Sequence, residues 1–167
     1  MSRSRRPPSV RAEIQQGRPF RSSRQEAAIA LLRTASVVRR TLSRVVEREG
    51  LTLAQYNALR IVGGAGTGGI ATLAIRSRLI EEGTPITRLL DKLETAGLIR
   101  RDRVDSDRRQ VVCYVSADGK RLLARLNPVV DRADEAAVAS VGQKGLAAFI
   151  AALDRIRVAN SDRGGNA

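Results

Sequence analysis

The 167 residues carry 30 Lys and Arg against 17 Asp and Glu, giving a formal charge of +13 and a pI near 11.5. Such an excess favours a polyanionic partner, because phosphate neutralisation with counterion release drives that binding; composition alone does not separate DNA from RNA or an anionic membrane. Histidine is absent and Cys113 is the one cysteine, which removes Ser-His-Asp and Cys-His nucleophile systems, the usual zinc sites and any intrachain disulfide.

The length suits one compact unit, and with aromatics at 2 % the core must be built from Ala, Val, Leu and Ile. Residues 1–24 hold Arg3, Arg5, Arg6, Arg11, Arg18, Arg21 and Arg24 against Glu13 alone. They are expected to form a basic, largely disordered arm, either touching DNA phosphates or simply solvated. Arg5-Arg6 is followed by no apolar segment, so no secretory leader is expected. No apolar run approaches the ~20 residues of a membrane span, so no membrane partner is expected; with Cys113 the one cysteine, the cytoplasm is the natural expectation.

From Gln25 to about Glu49 the residues Ala27, Leu31, Thr34, Val38, Leu42, Val45 and Val46 follow a three-four spacing, and Gly50 ends the helix. A one-faced helix of that length needs somewhere to bury its stripe. Leu53 to Val62 gives a second helix, followed by the glycine-rich run 63–69. That run lacks the lysine and the strand–helix context of a phosphate-binding loop and reads as a connector. Ile70 to Leu73 suits a short strand. Residues 73–80 suit a helix carrying Arg76 and Arg78 toward a nucleic-acid backbone, and Glu81-Glu82-Gly83 a turn. Both glutamates would repel phosphates and are expected to point away from them.

The stretch from Thr84 to Ser116 is the most informative. Thr84 can N-cap a helix, with Pro85 in the first helical position where its missing N–H costs nothing. Ile86, Leu89, Leu90 and Leu93 define a buried stripe, Gly97 stops the helix, and Thr84, Arg88, Asp91 and Thr95 point away from the stripe. This is the build of a groove-reading helix, although an ordinary surface helix shares it. Thr87 and Arg88 are the expected base or phosphate contacts, with Lys92 at the backbone. After Gly97 the period changes: residues 98–104 and 111–115 read as strands joined by a tip from Asp105 to Gln110. A basic hairpin directly after a groove-sized helix outlines a winged helix-turn-helix, the helix entering the major groove and the tip reaching the backbone or minor groove. Asp91 on the reading face would repel phosphate alone, so it is expected to pair with Arg109, while Asp107 braces the tip. Cys113, alternating with Val111 and Val115, is expected to be a small buried hydrophobe rather than a redox sensor.

Residues 117–141 form a further helix with Leu122, Leu123, Leu126, Val129, Val130 and Ala133 on one side, and Pro128 should kink or divide it. Leu146, Phe149, Ile150, Leu153 and Ile156 give a last helix with a wide apolar face, and residues 161–167 should fray. These faces match the stripe of the first long helix in character, which points to mutual burial across a two-fold axis.

The run from Thr87 to Gly119, TRLLDKLETAGLIRRDRVDSDRRQVVCYVSADG, resembles the MarR (multiple antibiotic resistance regulator) family of transcription factors. The D-x-D-R-R wing following LDKLE and GLIRR carries the resemblance, together with the upstream Leu51-Thr52-Leu53-Ala54-Gln55-Tyr56. It implies a mainly α fold with a small β-sheet: a winged helix-turn-helix over residues 51–116, with residues 25–50 and 117–160 forming a helical dimerisation lobe. It further implies a homodimeric transcriptional regulator, usually a repressor, that binds a pseudopalindromic duplex. Arg108 would be the wing residue at the minor groove or phosphates, and a small-molecule effector would occupy a cleft near Tyr56. No acid–base–nucleophile set is visible, so no enzyme activity, catalytic residue, metal or cofactor is expected. The competing reading is a sequence-nonspecific basic nucleic-acid-binding or ribosome-associated protein.

Overall fold

The computed structural model describes residues 8–81, 83–104 and 107–161, and of residues 104 and 107–109 only the backbone. Its helices are α1 (Val10–Glu13), α2 (Ser23–Glu47), α3 (Leu53–Gly63), α4 (Thr72–Arg76), α5 (Ile86–Thr95), α6 (Ala117–Val138) and α7 (Gln143–Ser161). Strands β1 (Ile70–Ala71), β2 (Ile99–Val104) and β3 (Asp107–Val115) make one antiparallel sheet in the order β1-β3-β2. The arrangement is a winged helix-turn-helix, with α2, α6 and α7 attached.

Apolar burial concentrates where α3, α5, the sheet and α6 meet. Leu59, Val62, Ile75, Leu90, Leu93 and Cys113 are fully buried there, and Val46 closes the core from the last turn of α2. Thr52 starts α3 with a capping box: its hydroxyl accepts from the Gln55 N–H, and the Gln55 side chain accepts from the Thr52 N–H at 2.8 Å. The stripe expected along the first long helix is buried only at its end. Val46 is inside, Leu31, Val38, Leu42 and Val45 are half-buried, and Ala27 and Thr34 are exposed; beside the stripe, Leu32 is 71 % exposed. Likewise α7 has no buried residue, although Phe149, Ile150, Ile156 and Val158 are apolar.

Four local features differ from the sequence expectation. Part of the N-terminal segment is folded: Ser9 caps α1, and Glu13 accepts from Arg33 on α2 at 2.6 Å, so its lone acid is an anchor. Residues 1–7, with Arg3, Arg5 and Arg6, lie outside the described residues. The helix expected over 73–80 stops at Arg76, where the Ser77 hydroxyl bonds back to the Ala74 carbonyl at 3.1 Å. A serine side chain that competes for backbone partners weakens helix continuation. Thr84 does not cap α5. Gly83, at φ +74, curls the chain so that the Thr84 hydroxyl donates to the Glu81 carbonyl at 3.0 Å, and Pro85 occupies the N-cap position. A residue before proline is biased to extended backbone, and a hydroxyl donates as readily as it accepts. Pro128 does not divide α6. The break comes at Ala139–Gly142, with Gly142 at φ +69, where the chain turns by 99° into α7.

Among the described residues no single helix is long and apolar enough to cross a membrane. One close approach fixes the wing to α6. The Ser116 N–H donates to the Leu98 carbonyl at 3.0 Å, the Ser116 hydroxyl donates to the Gly97 carbonyl at 2.6 Å, and it accepts from the Gly119 N–H. A Cβ on Gly119 would lie 2.2 Å from the Leu98 carbonyl oxygen. Backbone cannot swing aside as a flexible side chain can, so Gly119→Ala should destabilise the domain by about 1–3 kcal/mol, measured by denaturant unfolding. A variant as stable as the parent would show that this junction is looser than drawn.

Candidate nucleic-acid interface

The candidate site is built on α5 and the hairpin behind it. Leu89, Leu90 and Leu93 turn one face of α5 into the core, which leaves Thr87, Arg88, Asp91, Lys92 and Thr95 exposed, as the spacing implies. Thr84 is half-buried in the preceding turn. Arg76 and Arg78 are exposed at and beyond the end of α4. None of Arg76, Arg78, Arg88 and Lys92 forms an ion pair among the described residues. Their guanidinium and ammonium groups are therefore available to phosphate or base-edge acceptors.

The hairpin holds its position through one guanidinium. On β2, Ile99 is buried against the core, and Arg101, two residues on, must share that face. Its charge is met by two carboxylates from α5. Arg101 Nη2 donates to Asp91 Oδ1 at 2.6 Å and to Glu94 Oε2 at 2.6 Å, and Nε donates to Glu94 Oε2 at 2.8 Å. The Arg101 backbone N–H donates to Glu94 Oε1 at 3.0 Å, so both oxygens of Glu94 are used. The side chain of Arg101 is 23 % exposed, whereas Asp91 is 51 % exposed. Hydrogen bonding from Arg101 holds the Glu94 carboxyl below its ordinary range, against an opposing effect of burial. The same bonds raise the Arg101 guanidinium.

Asp91 is thus neutralised by a charge partner, but that partner is Arg101 on β2. The Arg109 side chain expected in this role lies outside the described residues, as do those of Asp107 and Arg108 and the whole of residues 105–106. Backbone pairing nonetheless redraws the wing. Arg103 pairs with Val111 and Val104 with Asp107, so Arg108, Arg109 and Gln110 are extra residues of β3 opposite a single step of β2. The register shifts there within the strand, whereas the sequence suggested a tip running from 105 to 110. On the opposite face of β2, Arg100 pairs with Asp102 at 2.8 Å and lies 4.7 Å from the Tyr114 ring centre. Cys113 is fully buried and burial pushes its thiol up, which suits a packing residue.

A cavity of about 540 Å³ lies between α2, α3, α6 and the turn ahead of α5. Its wall is largely apolar, from Leu32, Leu42, Leu53, Ile80 and Val130, with Arg39, Tyr56, Arg60 and Asp134 as polar groups. The Tyr56 hydroxyl donates to Asn127 Oδ1 at 2.9 Å, and burial raises it above the usual phenol. Burial likewise raises Asp134, opposed by the charge of Arg60.

The chain is similar in sequence and fold to known proteins. The MarR family model matches residues 51–111. A MarR transcription factor from Planctomyces limnophilus of known structure is 31 % identical, with 81 % of this chain and 98 % of that chain aligned at a TM-score of 0.63. The chain belongs to the MarR family. A MarR family transcriptional regulator from Streptomyces coelicolor, Sco3205, solved in complex with DNA, shares the fold at a TM-score of 0.74 and 16 % identity, covering 86 % of this chain and 91 % of that one. The transcriptional regulator HosA of Escherichia coli is 29 % identical over 89 residues, 53 % of this chain. That match spans 64 % of HosA, so this chain covers less than two thirds of the curated relative.

The MarR-type wing of this chain is therefore tied to its helix by Arg101, Asp91 and Glu94. Because the folded Glu94 carboxyl is depressed, its contribution to stability is present above the unfolded carboxyl pKa and is lost as pH falls through the lower folded value. Glu94→Gln should cost no more than about 1 kcal/mol near neutral pH, since solvent screens the pair. Urea unfolding of the two proteins should converge only once pH has fallen through the depressed folded value, where the parent carboxyl is protonated too. A deficit that persists unchanged in acid would assign the loss to packing.

Proposed function

We propose that this chain is a homodimeric DNA-binding transcriptional regulator, a repressor, whose α5 helices read successive major grooves of a pseudopalindromic duplex while the wings grip alongside. The observation that carries this reading is the exposed cationic face of α5, Arg88 with Lys92, held to the wing strand by Arg101. Arg76, Arg78 and Thr84 contribute phosphate contacts beside it, and Thr87 faces the bases. Arg108 supplies the wing contact; Arg109 flanks it and Asp107 braces the tip. The Sco3205–DNA complex supports the reading by analogy of fold.

Dimerisation is supported by the apolar surface left uncovered in a single copy. Leu32 and Val37 on α2, with Phe149, Ile150, Ile156 and Val158 on α7, are exposed, and α7 buries none of its residues. Residues 25–50 and 117–160 would then form the dimerisation lobe, with residues 51–116 reading DNA. The cavity bounded by α2, α3 and α6 touches both parts, so a small apolar effector bound there would favour one spacing of the two reading heads over another. Only a difference in affinity between two such arrangements can alter DNA binding.

Selection of duplexes from a random pool tests the reading. It predicts recovered sites with two-fold symmetry and half-sites about one helical turn apart. Recovery of unrelated sequences bound equally well would favour the alternative, a sequence-nonspecific basic protein. Among variants, Arg88→Ala should lose about 10–100-fold in affinity and relax preference at one base position, as expected of a lost bidentate contact. Arg108→Ala should weaken binding to all duplexes alike, measured by mobility shift; unchanged affinity would remove the wing from the mechanism.

A further inference from the structure

The turn ahead of α5 carries an acid where DNA would approach. Glu81 precedes the reading helix, and its carboxylate Oε1 lies 3.4 Å from Arg39 Nη1 on α2. The same short turn is closed by Thr84, whose hydroxyl donates to the Glu81 carbonyl at 3.0 Å, and by Gly83 at φ +74. The side chain of Glu81 is therefore drawn toward α2 while its backbone is tied to the residue before Pro85. Both Arg39 and Glu81 line the cavity.

We propose that Arg39 is a masking and positioning residue: from α2 it neutralises Glu81, so that phosphates approaching Arg76, Arg78 and Arg88 do not meet the Glu81 carboxylate bare; Glu82 beside it lies outside the described residues. The proposal rests on the DNA-binding reading above. A bare carboxylate within a Debye length of phosphates, ~10 Å at moderate salt, lowers the local potential that draws DNA in. The pair itself is open to solvent, with side chains 62 % and 46 % exposed, so it adds little to folding stability. Its effect falls on association with a polyanion, where each uncompensated charge is felt. Arg39 also sits on the long helix outside the reading head, so the mask joins that helix to the turn and ties the position of the turn to the cavity between them.

The charge logic makes the variants asymmetric. In fluorescence anisotropy with a duplex selected by the wild-type protein, Arg39→Gln should weaken binding about three- to tenfold at low salt, and less as salt rises. Glu81→Gln should bind as tightly as wild type or more tightly, because it removes the charge that needs masking. The double variant should return to wild-type affinity, because the two charges removed cancel. If Glu81→Gln fails to rescue the Arg39→Gln defect, Arg39 attracts DNA directly and the masking proposal is wrong. Weakening by Glu81→Gln equal to that by Arg39→Gln would also overturn it, since the contact rather than the charge would then matter. Failure of the wild-type protein to bind any duplex would instead defeat the DNA-binding reading, and the proposal with it.

Discussion

The geometry of the reading head depends on one cation facing inward. A β-strand that buries Ile99 brings Arg101 to the same face, and a guanidinium there must find counter-charge or leave the strand. Asp91 and Glu94 on α5 supply it, and Glu94 also accepts the Arg101 backbone N–H. The bracket therefore sets the register of β2 against α5 as well as neutralising charge. It also neutralises the acid of Asp91 on the exposed face. What remains there is cationic, which is the property a phosphate-facing surface requires. Ser116 and Gly119 tie the other end of the hairpin, so the wing is held to α5 on one side and to α6 on the other.

The distribution of burial separates two parts of the chain. Around α3, α5 and the sheet the core is complete, with Leu59, Leu90 and Leu93 excluded from solvent. On α2 Leu32 and Val37, and on α7 Phe149, Ile150, Ile156 and Val158, are exposed, and α7 has no fully buried residue. Such surface is costly in water, and a second copy would supply matching apolar faces. The cavity lies where these regions meet, with Arg39 contributed from α2 and Glu81 from the turn before α5. The Arg39–Glu81 pair joins the two regions at 3.4 Å.

Much of this was legible in the chain. The stripe Ile86, Leu89, Leu90, Leu93 with Gly97 behind it located α5, because burial of one helical face leaves a periodic trace. The strand pair followed from β-branched runs, and Ile70 in β1 from its position after the glycines. Short-range hydrogen-bond choices were not legible. Thr84 donates to Glu81 where capping would have had it accept, and Ser77 turns back on Ala74, because a hydroxyl has several partners of similar energy. The Arg101 bracket was missed for a different reason. Asp91 announced an acid in need of a partner, and the arginines nearest the expected tip drew the assignment. Alternation from Ile99 offered the better signal, since it places Arg101 on the α5 side. Glu13 was likewise lost among arginines, although it is what fastens α1 to Arg33.

The proposed dimer would set two copies of the helix-and-wing unit on one face of a duplex. Hydroxyl-radical footprinting of the wild-type protein on a single bound site tests this most directly. The account predicts protections related by two-fold symmetry, centred on major grooves about one helical turn apart, with outer protections in the flanking minor grooves. A single unsymmetrical protection, or a uniform one along the duplex, would contradict it.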